Sequence, residues 1–245
     1  MKRNKIGVIY LAVMLTLIAT MFSVPHTVYA EEIVSDELWI KPLTDNTAEI
    51  IGSSVNGSMI EHLTIPEYIS KYKITSIGDY AFDSCEFLTS VTIPDSIISI
   101  GKGAFLRCIS LTSVTIPNSV TSIDAYAFSD CSSLTSIAIP DGVKRIEEDT
   151  FSRCISLTNV TIPNSVTSID AYAFSNCSSL KNVTIPDSVT SIDTYAFSYC
   201  GSLASVTIPN SVTSIGKCVF VECYNLKSMS IGQVISDHTL HDLVW

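Results

Sequence analysis

A 23-residue block recurs six times in succession, and this period constrains the fold more than any other feature of the chain. A phenylalanine and a cysteine mark each block at constant positions. The phenylalanines are Phe82, Phe105, Phe128, Phe151, Phe174, Phe197 and Phe220, and the cysteines are Cys85, Cys108, Cys131, Cys154, Cys177, Cys200 and Cys223. A fixed period of this length indicates a solenoid, because each unit buries its apolar face only against its neighbours.

The first part of each block is typical of a short strand, and residues 111–133 show it most clearly. Val114 and Ile116 are apolar and flank a polar residue, and this alternation predicts a strand with one buried face. Pro117 follows and ends the strand, because proline has no N–H to donate to a ladder.

The second part of the block is predicted to bury five further side chains. Val120 and Ile123 belong to a second short extended segment, and Ala127, Phe128 and Cys131 are expected to face inward. The spacing of three between Phe128 and Cys131 predicts one helical or 3₁₀ turn. Each unit therefore contributes a dense core for its size.

Residues 1–30 have the pattern of a secretory signal peptide. Lys2, Arg3 and Lys5 precede an apolar run, and a site for signal peptidase ends at Ala30. We therefore expect cleavage after Ala30. The alternative is a retained membrane anchor, since the apolar run approaches the length of a bilayer span.

The remaining chain divides into three parts. Residues 31–62 lack the repeat and are predicted to form an N-terminal cap, with a strand at 48–51 covering the open end of the core. Residues 63–225 form an array of seven units, of which the first carries five extra residues. Residues 226–245 are predicted to be a partial repeat and a C-terminal tail.

The charge of the chain restricts its partners. The first 30 residues hold three of the 14 basic residues and none of the 24 acidic ones, so the remainder has a net charge of −13. An acidic surface disfavours nucleic acid and anionic membranes as partners. Contact with a membrane is expected only through an uncleaved signal segment.

The cysteine column invites a disulfide framework, and a column of buried free thiols is the alternative that we favour. Side chains in a ladder are parallel and do not point at each other, and a column of seven cannot pair completely. Cys218 lies outside the column, and a bridge from it to Cys223 has no support in the pattern.

The repeat resembles that of the BspA-like leucine-rich repeat family. Val91-Thr92-Ile93-Pro94, then Ser99-Ile100-Gly101, then Ala104-Phe105 and Cys108 carry the resemblance in one unit, and it extends over about residues 48–231. It implies an α/β, β-rich, right-handed and curved solenoid with a parallel sheet along one face. Members look like bacterial surface or secreted proteins, and several are adhesins that bind host matrix proteins or other cells.

The outward positions of the strands are the first candidate for a binding surface. Extended sheet faces bind ligands in repeat proteins, although threonine is also simply favourable at exposed strand positions. The predicted binding residues are Ser113, Thr115, Asn159, Thr161, Asn182, Thr184, Ser205 and Thr207. A column of tyrosines, at positions 80, 126, 172 and 195, is the second candidate.

Other chemistry has weak support in the sequence. Four consecutive acids, Asp124, Glu147, Asp170 and Asp193, share one column, but no recurrent loop adds oxygen ligands, so a turn site is favoured over calcium. A weak metal site at His238 and His241 is less favoured than a solvated tail. We predict no catalytic residues, no metal and no cofactor.

The sequence thus predicts a secreted or cell-surface, adhesin-like interaction protein without catalytic activity. Its expected partner is a protein or glycan on a host or bacterial surface. The alternative is a structural or spacer array with no ligand of its own, because a fold alone does not assign a function.

Overall fold

A computed structural model of the 245-residue chain describes residues 32–33, 38–43, 45–53 and 60–231. These residues belong to one compact unit, Glu31–Trp245. The predicted signal segment and the two histidines of the tail lie outside the described residues.

The described residues form nineteen short strands and no helix. In chain order the strands are β1 Glu32–Ile33, β2 Leu38–Pro42, β3 Thr47–Ser53, β4 His62–Thr64, β5 Tyr68–Ile69, β6 Tyr72–Ile77, β7 Ser90–Thr92, β8 Ser99–Ile100, β9 Ser113–Thr115, β10 Ser122–Ile123, β11 Ser136–Ala138, β12 Arg145–Ile146, β13 Asn159–Thr161, β14 Ser168–Ile169, β15 Asn182–Thr184, β16 Ser191–Ile192, β17 Ser205–Ile208, β18 Ser214–Ile215 and β19 Ser228–Ile231.

The first strands of successive repeats pair in parallel within three groups. Hydrogen bonds connect β1-β4-β7-β9, β11-β13 and β15-β17-β19. The register equals the period, so Val91 lies opposite Val114 and Thr92 lies opposite Thr115. The predicted leucine-rich repeat solenoid with parallel strands is therefore confirmed. The α part of the expected α/β class is absent from the described residues, and the right-handed sense stays a prediction.

The second strand of each repeat forms a second parallel series. It comprises β3-β6-β8-β10 and β12-β14-β16-β18, and β2 closes the N-terminal edge by pairing antiparallel with β3. Ala48 and Ile50 on β3 are fully buried. β3 thus includes residues 48–51, where the sequence predicts a capping strand.

The last part of each repeat differs from the prediction. The N–H of Ala127 donates to the carbonyl of Asp124, and that of Cys131 donates to Phe128, so the segment is a run of β-turns. Tyr126 and Asp130 have φ of 63° and 58°. A left-handed residue cannot continue a right-handed helix, which is why no helical turn forms here.

These turns are connected to one another by a third ladder between repeats. The N–H of Phe105 donates to the carbonyl of Ala127 at 2.8 Å, and that of Arg107 donates to Ser129 at 2.9 Å. Backbone groups that the turns leave unpaired are therefore satisfied by the next repeat, so even the irregular part of each unit depends on its neighbour.

The core is a set of stacked columns. The seven phenylalanines of the repeat are at most 1% exposed, and their rings stack at centroid distances of 5.3–5.7 Å. Buried leucine, valine and isoleucine columns surround them. The predicted inward positions are confirmed, and each unit packs on both neighbours.

The first repeat begins at Ile60, three residues before the predicted boundary. Leu63 lies opposite Val91 in the register, so Ile60 occupies the position of Leu88, and it is buried at 6% exposed. The extra residues of this repeat form a hairpin in which β5 pairs antiparallel with β6.

Candidate functional site

The predicted binding residues all lie on the exposed side of the first strand series. Each three-residue strand from β9 to β15 has two exposed residues around one buried residue, and the same alternation begins β17. We call Ser113, Thr115, Asn159, Thr161, Asn182, Thr184, Ser205 and Thr207 the strand face. Ser136 and Ala138 on β11 are exposed too, and the alanine breaks the row of hydroxyls.

The register aligns these side chains from repeat to repeat. Asn182 lies opposite Ser205, and Thr184 lies opposite Thr207. These four residues also line an open groove of about 610 Å³, together with Ser230 of the following strand. The structure therefore brings the C-terminal half of the predicted residues to one groove. Asn159 and Thr161 lie on β13, which contacts β15, whereas Ser113 and Thr115 lie on β9, in a different sheet.

A second groove of about 640 Å³ lies over the turns, and we call it the turn groove. It has a floor of four buried serines, Ser129, Ser152, Ser175 and Ser198. One wall holds the positions of the tyrosine column, and the other holds the second left-handed residue of each repeat. The wall residues are Tyr126, Asp149, Tyr172, Tyr195, Asp130, Arg153, Asn176 and Tyr199.

The serine floor explains where the turn groove begins and ends. In the flanking repeats the equivalent position is Leu106 at one end and Val221 at the other, and Leu106 lines the groove. Small side chains thus occur in the floor for four repeats, with larger ones at both ends. This column of serines between a leucine and a valine is the sequence signal for a groove that the periodicity alone did not predict.

The tyrosine column consists of side chains at strained backbone positions. Tyr80, Tyr126, Tyr172 and Tyr195 all have φ between 55° and 63°. Gly103 occupies the same position in one repeat, with φ of 57°, and a Cβ built there would lie 2.5 Å from the Tyr80 ring. Most residues avoid this conformation, so retaining tyrosine there costs stability.

The cysteine column is structural. The thiols donate to the carbonyl oxygens of the phenylalanines 26 residues earlier, at 3.2–3.3 Å, for Cys108, Cys131, Cys154, Cys177, Cys200 and Cys223. Burial raises the pKa of Cys223 to about 11. Thiols that are directed at carbonyl oxygens and hard to ionise are poor nucleophiles, so this column offers no catalytic group.

The acidic column is engaged in local contacts. Arg145 binds Asp170 at 2.6 Å and Glu147 at 3.2 Å, while Asp124 accepts a hydrogen bond from Ser122 at 2.8 Å. Within the described ranges, no group of three or more His, Cys, Asp or Glu side chains is placed to hold a metal ion. The described part of the chain also lacks a helix that could span a bilayer.

Comparison with known proteins identifies the repeat. A family model for the BspA type leucine-rich repeat region, in six copies, matches residues 49–178 and 144–239. The chain belongs to the BspA type leucine-rich repeat family. The resemblance seen in the sequence is thus confirmed, and this family of repeat proteins is consistent with a protein-interaction role.

Solved structures of bacterial leucine-rich repeat proteins resemble the BspA type solenoid described here. The leucine-rich repeat protein TpLRR of T. pallidum is 29% identical, with a TM-score of 0.75 over 88% of this chain and 97% of that one. A leucine-rich repeat protein from Bacteroides ovatus is 26% identical, with a TM-score of 0.56 over 82% of this chain and 71% of that one.

A leucine-rich cell surface protein from Faecalibacterium prausnitzii is 29% identical, with a TM-score of 0.47 over 81% of this chain and 76% of that one. The cell-surface location in this description refers to the Faecalibacterium protein. No curated protein matches the chain.

Proposed function

We propose that the protein is exported and acts without catalysis, binding another protein or a surface glycan through the strand face. Cleavage after Ala30 and a location outside the cell or on its surface belong to this proposal. The observation that supports it most is the alignment of exposed hydroxyl and amide groups across successive repeats, beside a groove of about 610 Å³.

The energetics favour a distributed contact. The strand face consists of serine, threonine and asparagine, whereas the residues that dominate protein interfaces are aromatic residues and arginine. Each side chain is thus expected to contribute little, and affinity is expected to grow with the number of repeats that the ligand covers. A single substitution should consequently have a small effect.

The test is a set of lysine substitutions on the chain from residue 31 onward, assayed for binding to extracellular matrix proteins and host-cell surfaces. Thr161→Lys alone should weaken binding by less than about threefold, since one contact of many is lost. Changing Thr115, Thr161, Thr184 and Thr207 together to lysine should abolish it, because charge and shape then change along the whole strand face.

A matched control places the same four charges directly before strands of the second series. Thr121, Thr167, Thr190 and Thr213 occupy the position that Lys144 holds in another repeat, so lysine is compatible with the fold there. This control should bind like the unchanged protein. Binding that persists in the folded strand-face variant would refute the proposed surface, and absence of binding by the unchanged protein would favour the spacer alternative.

A further inference from the structure

The tyrosine wall of the turn groove has a gap at Asp149. Tyr172 and Tyr195, in adjacent repeats, stack with ring centroids 5.1 Å apart and planes 8° apart. Tyr126 and Tyr172 are two repeats apart, and the repeat between them carries Asp149 instead of a ring. The face of Tyr172 that does not meet Tyr195 therefore borders a slot one repeat wide, with a carboxylate in the position of the missing ring.

Two hydroxyl groups border the carboxylate in this slot. The hydroxyls of Ser152, in the groove floor, and Tyr126 interact with the Asp149 carboxylate and favour its charged form. Asp149 has φ of 53°, so its backbone has the same left-handed conformation as the tyrosines of the column. The acid thus replaces a ring without altering the turn that carries it.

The slot has an excess of negative charge. Glu148 lies beside Asp149 and also interacts with the Tyr126 hydroxyl. Two cations are already engaged nearby: Arg153 is bound to Asp130 at 3.5 Å, and Lys102 lies over the Tyr126 ring, with its Nζ 5.4 Å from the ring centroid. Burial raises the pKa of the Asp149 carboxyl above its ordinary value. A cation placed beside it would offset this desolvation and favour the charged form.

Two ring faces and a carboxylate form a site for a cationic side chain. Cations are attracted to the faces of aromatic rings, and a planar guanidinium also stacks on them. We propose that the turn groove binds a basic peptide segment of a partner protein, with an arginine side chain inserted between Tyr126 and Tyr172 onto Asp149.

The same observations favour a basic peptide over a neutral glycan. Tyr172 and Tyr195 cover each other's faces, so apart from the slot this part of the wall offers ring edges and hydroxyls to a sugar. The chain has a net charge of −10, which attracts a basic segment from a distance. The site also lies on the turns and not on the strand face, so the two surfaces can be tested separately.

The test uses labelled ten-residue peptides that alternate glycine with arginine, lysine or glutamine, titrated against the chain from residue 31 onward at low ionic strength. The arginine peptide should bind best, the lysine peptide more weakly, and the glutamine peptide not at all. Affinity should fall as salt is added, because the attraction between the charges is screened.

Two variants at one position separate charge from space. Asp149→Asn retains the shape and tolerates the left-handed backbone, and it should weaken binding of the arginine peptide by about tenfold or more through loss of the charge. Asp149→Tyr copies the residue of the neighbouring repeats and should abolish binding by filling the slot, while the protein stays folded.

The matched control is Asp141→Asn, which removes one exposed acid at a position where another repeat has Asn164. It should bind the arginine peptide like the unchanged protein. The fourfold lysine variant of the strand face should also bind this peptide. Its four added positive charges repel the peptide at low salt, so its affinity is compared with that of the unchanged protein over a salt titration. The proposal is wrong if the unchanged protein does not bind the arginine peptide, if the glutamine peptide binds equally well, or if Asp149→Asn binds as tightly as Asp141→Asn.

Discussion

Replacing Phe151 by alanine tests whether the stacked core holds the array together. Phe151 is 1% exposed and lies between two other rings, 5.7 Å from Phe128 and 5.4 Å from Phe174. Phenylalanine to alanine in a well-packed core costs about 3–5 kcal/mol, because apolar contacts are lost and a cavity remains. We expect Phe151→Ala to lower the free energy of unfolding by this amount.

Two further variants isolate the sources of that loss. Phe151→Leu keeps most of the apolar volume and loses two aromatic pairs of about 0.5–1.5 kcal/mol each, so it should cost less than Phe151→Ala by the part that is due to the cavity. Phe220 stacks on one ring only, at 5.7 Å from Phe197, so Phe220→Ala should cost less than Phe151→Ala by one aromatic pair, about 0.5–1.5 kcal/mol.

Urea unfolding followed by far-ultraviolet circular dichroism measures these differences. The comparison requires that the slope of the free energy of unfolding against urea concentration is the same for all variants. A loss below about 1 kcal/mol for Phe151→Ala would show that the ring is not packed as the structure describes. An equal loss for Phe220→Ala and Phe151→Ala would show that stacking between repeats adds little to burial.

Two other predictions concern the thiols and export. Burial raises the pKa of the buried thiols above their ordinary value of 9.0, so thiols of the unfolded chain ionise at a lower pH than those of the folded chain. The free energy of unfolding should therefore fall as pH rises above about 9, by up to ~1.4 kcal/mol per pH unit for each thiol. Cys154→Ala should make that decline less steep, and an unchanged slope in urea unfolding at several pH values would contradict the assignment. N-terminal sequencing of the exported protein should begin at Glu31, whereas a mature chain that still contains Met1 would refute cleavage after Ala30.

The burial of the inward columns could be predicted because the apolar residues of the repeat recur at a constant interval. Val114, Phe128 and Cys131 recur every 23 residues, and a solenoid of that period places equivalent residues on one another, so their burial follows from the spacing alone. The exposure of Thr115 was predictable for the same reason, since alternate residues of a strand face opposite sides.

The turns were not predictable from spacing. An interval of three between Phe128 and Cys131 fits one turn of helix and a β-turn equally well, and the left-handed backbone at Tyr126 and Asp130 decides between them. Tyrosine gives no sign of this conformation. The signals are Gly103, which stands in the tyrosine column where the residue must have φ of 57°, and Asp130 and Asn176 at the second left-handed position, since Asn and Asp adopt this conformation more readily than most residues.

The first repeat starts at Ile60 and not at the predicted residue 63, and the spacing of the motif could not show this either. Five extra residues interrupt the pattern before Ile77, and the hairpin formed by Tyr68–Ile69 and Tyr72–Ile77 absorbs them. The strand register across Leu63 and Val91 then assigns Ile60 to the position of the repeat leucine. A pairing register is a long-range property, which a local motif does not contain.

A repetitive surface and a specific site place opposite demands on the sequence. Equivalent repeats present equivalent groups, so a ligand on the strand face gains affinity from length and has little reason to prefer one register over another. A unique position requires a break in the repetition that the fold tolerates. Asp149 is such a break, because it changes the chemistry of the tyrosine column and leaves the turn intact. The turn groove is therefore where this array can distinguish one partner from another.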